Sequence, residues 1–236
     1  MKVVASWSGG KDSAYAYYLA TQQGHQVINL LTMMMSEEKS NFHMIPSGIL
    51  DAQAQAIGVP LIKKTTSAAT YEKDFKTALL ECKARGAEGL VTGDIYEVAG
   101  HEEGWLGRVC KEVSLTPVKP LWMGDTKKIY LDYLKTGFKA TVVRTKLELL
   151  GVEWLGRVLD RQFYDDILKL GNVDACARDP RLDPHQQQER VGRDTVRHAE
   201  RPVDHLGKEA HPDEGQHPEH RVQDCVHAGE GIQFSL

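Results

Sequence analysis

Six residues near the amino terminus, Ser8-Gly9-Gly10-Lys11-Asp12-Ser13, hold the groups that an anion needs. Two glycines let the backbone bend tightly and bring its N–H groups close to a ligand. Lys11 adds a full positive charge, and Ser8 and Ser13 add hydroxyl donors. The apolar run Val3-Val4-Ala5 precedes the loop, and Ala14-Tyr15-Ala16-Tyr17-Tyr18-Leu19 follows it with helical character. A strand, a glycine loop and a helix in that order bind phosphate, because the helix start contributes unpaired N–H groups and a partial positive charge. The bland alternative is an ordinary turn before a helix. The loop fits neither G-x-x-x-x-G-K-[ST] nor the dinucleotide pattern G-x-G-x-x-G.

Other candidate site residues lie in later loops. Thr92-Gly93-Asp94-Ile95 follows an apolar run, and Asp94 there either holds magnesium or orients a substrate, or caps the next turn. His101 is either a general base or substrate contact, or a solvated loop histidine. Phe42-His43-Met44 either flanks a base such as adenine or covers the core. Pro117 to Trp122 reads as structural, closing a sheet edge, and Met33-Met34-Met35 reads as strand core.

These loops need a frame. Val3–Ser6, Val27–Met33, Pro60–Lys64 and Gly89–Gly93 read as strands. Between them come predicted helices over Asp12–Gln23, Pro46–Ile57 and Tyr71–Arg85, and Trp105–Val113 follows the fourth strand. Pro46 opens the second helix and Gly58 ends it. Phe75, Ala78, Leu79 and Cys82 share one face of the third. This alternation predicts an α/β fold with a doubly wound parallel sheet and ligands at the carboxyl ends of its strands. A helix over Thr126–Lys135, a strand over Phe138–Arg144 and a helix over Arg161–Leu168 follow. The chain is expected to divide into a first domain over 1–136 and the start of a second lobe over 137–176.

Composition changes near residue 177. Seven of the ten histidines lie beyond it, lysine dwindles to Lys208, and apolar residues become isolated. Such a stretch buries too little surface to offset its ordering entropy, so 177–236 is expected to be disordered or a non-native tail. The irregular spacing of its histidines favours solvated side chains over a metal site. The four cysteines contain no C-x-x-C pair and read as reduced thiols of a cytoplasmic protein. A net charge of −4 and a pI near 6.2 argue against general affinity for nucleic acid. No apolar run approaches the roughly 18 residues of a membrane span.

Ser8–Ser13, the Phe42-His43 loop, Gly93-Asp94-Ile95, His101 with Trp105, and Pro120-Leu121-Trp122 together resemble the diphthine–ammonia ligase family and its bacterial ATP pyrophosphatase (PP-loop) relatives. The resemblance covers roughly residues 1–176, and it makes 1–136 an ATP-binding domain and 137–176 the start of an acceptor lobe. The loop alone points only to the superfamily, which also holds argininosuccinate, GMP and tRNA-thiolating enzymes. The resemblance implies a sheet of the adenine-nucleotide alpha hydrolase-like (HUP) type with a truncated or aberrant carboxyl-terminal lobe. It also implies an ATP-dependent amide ligase: a carboxylate is adenylylated, pyrophosphate leaves, and ammonia attacks the acyl-adenylate. ATP contacts then fall to Ser6, Ser8, Gly9, Gly10, Lys11, Asp12, Ser13, His43 and Gly93. Catalytic roles fall to Lys11, Asp12, Asp94 and His101, with Asp12 and Asp94 holding Mg²⁺ or positioning the substrate. In archaea and eukaryotes the acceptor is diphthine, a modified histidine of translation elongation factor 2. The short His101 segment is closer to the bacterial branch, where another small carboxylate is the alternative acceptor.

After Gly171-Asn172-Val173-Asp174-Ala175-Cys176 the family continues with a Gly-Glu-Asn-Gly-Glu-aromatic-His-Thr segment, whereas this chain has Ala177-Arg178-Asp179-Pro180. A reading-frame shift near codon 176 would produce such a change, and re-sequencing would test it. It would remove part of the acceptor site, leaving a nucleotide-binding module without turnover as a further alternative.

Overall fold

A computed structural model describes residues 1–40, 44–96, 104–145, 147, 149–171, 173, 174, 176 and 233–235. Five strands, β1 (Lys2–Ser6), β2 (Gln26–Met34), β3 (Leu61–Thr65), β4 (Gly89–Val91) and β5 (Thr116–Val118), form one sheet in the order β3-β2-β1-β4-β5. Every neighbouring pair is parallel. The helices α1 (Lys11–Gln22), α2 (Ser47–Ile57), α3 (Tyr71–Ala84) and α4 (Gly104–Val113) are the crossovers that parallel strands require.

Side-chain alternation divides the core between the two faces of the sheet. In β1, Val3 and Ala5 join the cluster under α1 and α2, while Val4 joins the cluster under α3 and α4. In β2, Leu30 and Met34 face one way and Leu31 and Met33 the other. Strands covered on both faces read as continuous apolar runs, which is how these stood out in the sequence. The methionine run divides at its end: Met33 and Met34 are buried, but Met35 is 51% exposed.

Strand order reverses at β1. The chain steps outward from β1 through β2 to β3, then returns to place β4 on the other side of β1. The crevice at such a reversal lies at the carboxyl ends of the two strands that flank it. Here those ends carry the loops Trp7–Gly10 and Thr92–Ile95.

The Pro117–Trp122 stretch closes the sheet edge in part as expected: Pro117 and Val118 lie in the edge strand β5, while Pro120-Leu121-Trp122 is a turn beyond it. A three-residue strand containing Pro117 carries almost no local strand signal. It exists because an edge position tolerates proline and because Leu90 and Val91 pair with it.

Beyond the sheet come α5 (Thr126–Lys135), β6 (Thr141–Arg144), a 3₁₀ turn over Val152–Trp154, α6 (Arg161–Leu170) and β7 (Gln233–Ser235). The side chain of Asp125 accepts from the Lys127 amide at the start of α5, and Asp160 does the same for Phe163 at the start of α6. α6 packs through Phe163 and Tyr164 onto Tyr130 of α5, with ring centroids 6.2 and 5.3 Å apart. Trp154 meets the edge of Phe163 at 5.3 Å. These rings belong to the same buried cluster as Val3, Ala5 and Tyr15. β7 pairs antiparallel with β6. Residues 177–232 lie outside the described residues, so the expected tail and its histidines are not placed.

Candidate functional site

The Ser8–Ser13 loop leaves β1 and turns at Gly9, whose φ is +77°. A β-carbon on Gly9 would stand 2.8 Å from Leu50 Cδ2 and 2.9 Å from Ile45 Cδ1. The positive φ is what favours glycine, and a β-carbon would in addition press on the ends of those two side chains. Gly10 is the N-cap of α1 and supplies no side chain there. The first-turn N–H groups of an uncapped helix start are the donors an anion uses.

The loop holds its own shape through hydroxyls. Ser13 Oγ donates to the Gly10 carbonyl at 2.9 Å, and Ser8 Oγ donates to Ser13 Oγ at 3.1 Å. The Gly10 amide donates to Ser8 Oγ at 3.3 Å. The two serines thus brace the loop while their oxygens stay beside it. Ser6, at the end of β1, is half-buried.

Lys11 is the unusual residue. Its side chain is 1% exposed, and its ammonium pairs with the carboxylate of Asp12, which is 20% exposed. A cation taken out of water needs a partner anion, and Asp12 provides it. Tyr133 of α5 lies in the same environment. Its ring meets the edge of Tyr15 at 5.9 Å, and Tyr15 lies one helical turn after Lys11. Burial, opposed by the Lys11 charge and reinforced by that of Asp12, pushes the Tyr133 hydroxyl up to about 12.

The second loop reaches the first through its backbone. A β-carbon on Gly93 would stand 2.6 Å from the carbonyl carbon and oxygen of Asp12 and 2.7 Å from the Ser13 nitrogen. Gly93 therefore rests on the first turn of α1. Asp94 follows it with an exposed side chain, and its amide donates to Thr92 Oγ1 at 3.3 Å. Asp94 also faces Tyr71, whose hydroxyl pKa is raised by burial first and by the Asp94 charge second. Asp12, in the first turn of α1, and Asp94, on the loop after β4, thus both stand at the carboxyl ends of the strands. Among the described residues no group of three or more His, Cys, Asp or Glu side chains gathers as a metal centre.

The Pro120-Leu121-Trp122 turn supports the second loop. The Met123 amide donates to the Ile95 carbonyl at 2.6 Å. Tyr96 donates its hydroxyl proton to the carboxylate of Asp174 at 3.3 Å, and Asp174 is 3% exposed. The segment around Asp174 is therefore packed against the same loop. His43 and His101, with Phe42, lie outside the described residues. Trp105 packs between α3 and α4: it stacks on Phe75 at 5.6 Å, lies 5.8 Å from the Tyr71 ring and donates to Glu72 Oε2 at 2.8 Å.

Two contributors escaped the sequence. Gln53 of α2 accepts from Trp7 Nε1 at 3.0 Å and donates to the Gly9 carbonyl at 3.1 Å. Nothing in its local pattern marks it, since it reads as one more polar residue of an amphipathic helix. Tyr133 likewise reads as core, and only the placement of α5 brings it to Lys11.

A doubly wound parallel sheet with an anion-ready glycine loop at its strand-order reversal defines a nucleotide-binding α/β protein of the PP-loop kind. Residues 1–117 match the family model described as the diphthamide synthase N-terminal domain. The chain is a relative of the diphthine–ammonia ligases. It is 24% identical to the diphthine–ammonia ligase of Homo sapiens over 203 residues, covering 75% of this chain and 74% of that protein. It is 22% identical to that of Mus musculus over 175 residues, covering 65% and 64% respectively. A shorter stretch of 81 residues is 28% identical to the tRNA-specific 2-thiouridylase of Helicobacter pylori, covering 34% of this chain and 22% of that protein. Among the described residues no helix is long and apolar enough to cross a membrane.

Proposed function

We propose that the chain is an amide ligase that consumes ATP, forms AMP and pyrophosphate, and joins ammonia to a carboxylate through an acyl-adenylate. Kinship with the diphthine–ammonia ligases makes it an ATP-dependent C–N ligase. The observation that carries the finer reading is the contact of Gly93 with the first turn of α1, which brings the Ser8–Ser13 loop and Asp94 together at the carboxyl ends of the strands.

The chemistry follows from charge. A carboxylate is a poor electrophile, and AMP is a good leaving group. The acceptor oxygen attacks the α-phosphorus, the bond to the β-phosphate oxygen breaks, and pyrophosphate departs. Ammonia then attacks the acyl carbon, the C–O bond to AMP breaks, and the nitrogen loses a proton. Loop amides, Ser8, Ser13 and Lys11 neutralise the phosphates, with Lys11 exchanging Asp12 for a phosphate oxygen. Ser6, Gly9, Gly10 and Gly93 allow the backbone to approach the nucleotide, and His43 is proposed as a further nucleotide contact. His101 is the proposed base.

Asp12 and Asp94 fit Mg²⁺, which is ordinarily held by one or two carboxylates together with substrate phosphates, not by a dedicated protein cage. Such an ion would neutralise charge on the departing pyrophosphate. The acceptor is diphthine on elongation factor 2 if the source is archaeal or eukaryotic, and another small carboxylate in a bacterial relative. Incubation with labelled ATP, Mg²⁺, ammonia and acceptor tests the reading. AMP and pyrophosphate formed only with all components support it. ADP overturns it, and nucleotide binding without cleavage reduces the chain to a nucleotide-binding module.

A further inference from the structure

We infer that Gln53 is a positioning residue that sets the phosphate-binding form of the Ser8–Ser13 loop from the neighbouring helix. This inference rests on the reading of that loop as a phosphate site.

Gln53 lies on the buried face of α2, beside Leu50 and Ala54, and is 9% exposed. Its carboxamide spans the two ends of the turn. Oε1 accepts the indole N–H of Trp7 at 3.0 Å, and Nε2 donates to the carbonyl of Gly9 at 3.1 Å. An indole nitrogen only donates, and a carbonyl only accepts. The bridging group must therefore be acceptor and donor at once, in a fixed plane. Glutamate accepts but cannot donate in its ionised form, lysine donates but cannot accept, and methionine replaces neither bond well. Asparagine has the right head group on a stem one carbon shorter.

The bond to Gly9 falls where the loop needs it. Gly9 adopts φ +77°, and its α-carbon is enclosed by Ile45, Leu50 and Gln53. Holding the Gly9 carbonyl toward α2 turns the peptide that follows, so that the Gly10 N–H points away from Gln53. That N–H lies 3.3 Å from Ser8 Oγ, on the loop side of the peptide. Trp7 is itself tied at both ends of its backbone. Its amide donates to the Leu31 carbonyl at 2.8 Å, and its carbonyl accepts from Thr32 Oγ1 at 2.5 Å. Gln53 thus anchors the free side of a turn whose other side is already fixed to β2.

A positioning role of this kind predicts an effect on phosphate and not on the nucleoside. Gln53→Glu keeps the acceptor for Trp7, loses the donor to Gly9, and is close in size. The test compares ATP and adenosine binding by calorimetry for wild type, Gln53→Glu and Gln53→Met, with thermal unfolding alongside. Both variants are expected to weaken ATP at least tenfold and adenosine less than twofold, in protein that still unfolds cooperatively. Retention of wild-type ATP affinity in either folded variant overturns the inference, as does equal loss for ATP and adenosine. Failure of the wild-type chain to bind ATP overturns the phosphate reading itself, and the inference with it. If Gln53→Met fails to fold, Gln53→Glu alone decides.

Discussion

Gly93 and Asp12 are in backbone contact across 81 residues of sequence, close enough that a single added carbon on Gly93 would stand 2.6 Å from the Asp12 carbonyl. Because the opposing atoms are main chain, no rotamer change relieves the clash. Gly93→Ala is expected to destabilise the fold by about 1–3 kcal/mol, as overpacking does. It should also weaken ATP binding, since the first turn of α1 must shift. Thermal melts and calorimetry check this; an unchanged melting temperature with unchanged ATP affinity would contradict the contact.

Lys11→Met removes the loop's cation while keeping most of its volume. A charge-assisted hydrogen bond contributes roughly 1.5–3 kcal/mol, so ATP affinity should fall about 10- to 100-fold or more. The same change leaves the Asp12 carboxylate beside an anionic ligand with no compensating charge, which strengthens the loss. Normal ATP affinity in this variant would refute the placement of the phosphates.

Tyr133 is fully buried, and among the described residues its hydroxyl has no hydrogen-bond partner. Most buried hydroxyls are paired, and an unpaired one carries its desolvation cost in the folded state. Tyr133→Phe deletes that oxygen and preserves the ring contact with Tyr15. Its unfolding free energy should lie within about 1 kcal/mol of wild type, or above it. A loss exceeding about 2 kcal/mol, by denaturant titration, would mean that the oxygen has a partner.

Glu72 joins α3 to α4. Arg108 donates to both its oxygens, at 3.0 and 2.7 Å, and Lys76 and Trp105 complete the set. The Arg108 bonds, ahead of those from Lys76 and Trp105, hold its carboxyl at about 2, below the ordinary 4.5. A depressed folded-state value stabilises the protein above the unfolded value, and the benefit disappears as pH falls through the folded one. The melting-temperature gap between wild type and Glu72→Gln should therefore be full above pH 5 and shrink steadily toward pH 2 to 3. A gap independent of pH across that window would show that the charge on Glu72 is irrelevant.

Much of this molecule was readable from local pattern. The four crossover helices and first four strands fall within a few residues of their expected bounds, because strands buried on both faces and amphipathic helices differ in period. Thr126–Lys135 matches its expected span, with Asp125 capping it. The Ser8–Ser13 loop was legible for the same reason: glycines, a lysine and hydroxyls between a strand and a helix are a local arrangement. β5 was not, since three residues with a central proline take their conformation from Leu90 and Val91 beside them.

The remainder depended on distance in space. No period in the chain reveals that Gly93 lies on Asp12, that Gln53 reads both Trp7 and Gly9, or that Tyr133 comes to rest near Lys11. Those relations arise where strand order reverses between β1 and β4, and where two helices are packed onto one face of the sheet. Residue types and short spacings specified which groups were available for phosphate chemistry, because propensity and backbone freedom act over a few residues. Packing and register decided which of those groups meet, because a contact between remote residues exists only once the whole sheet has formed.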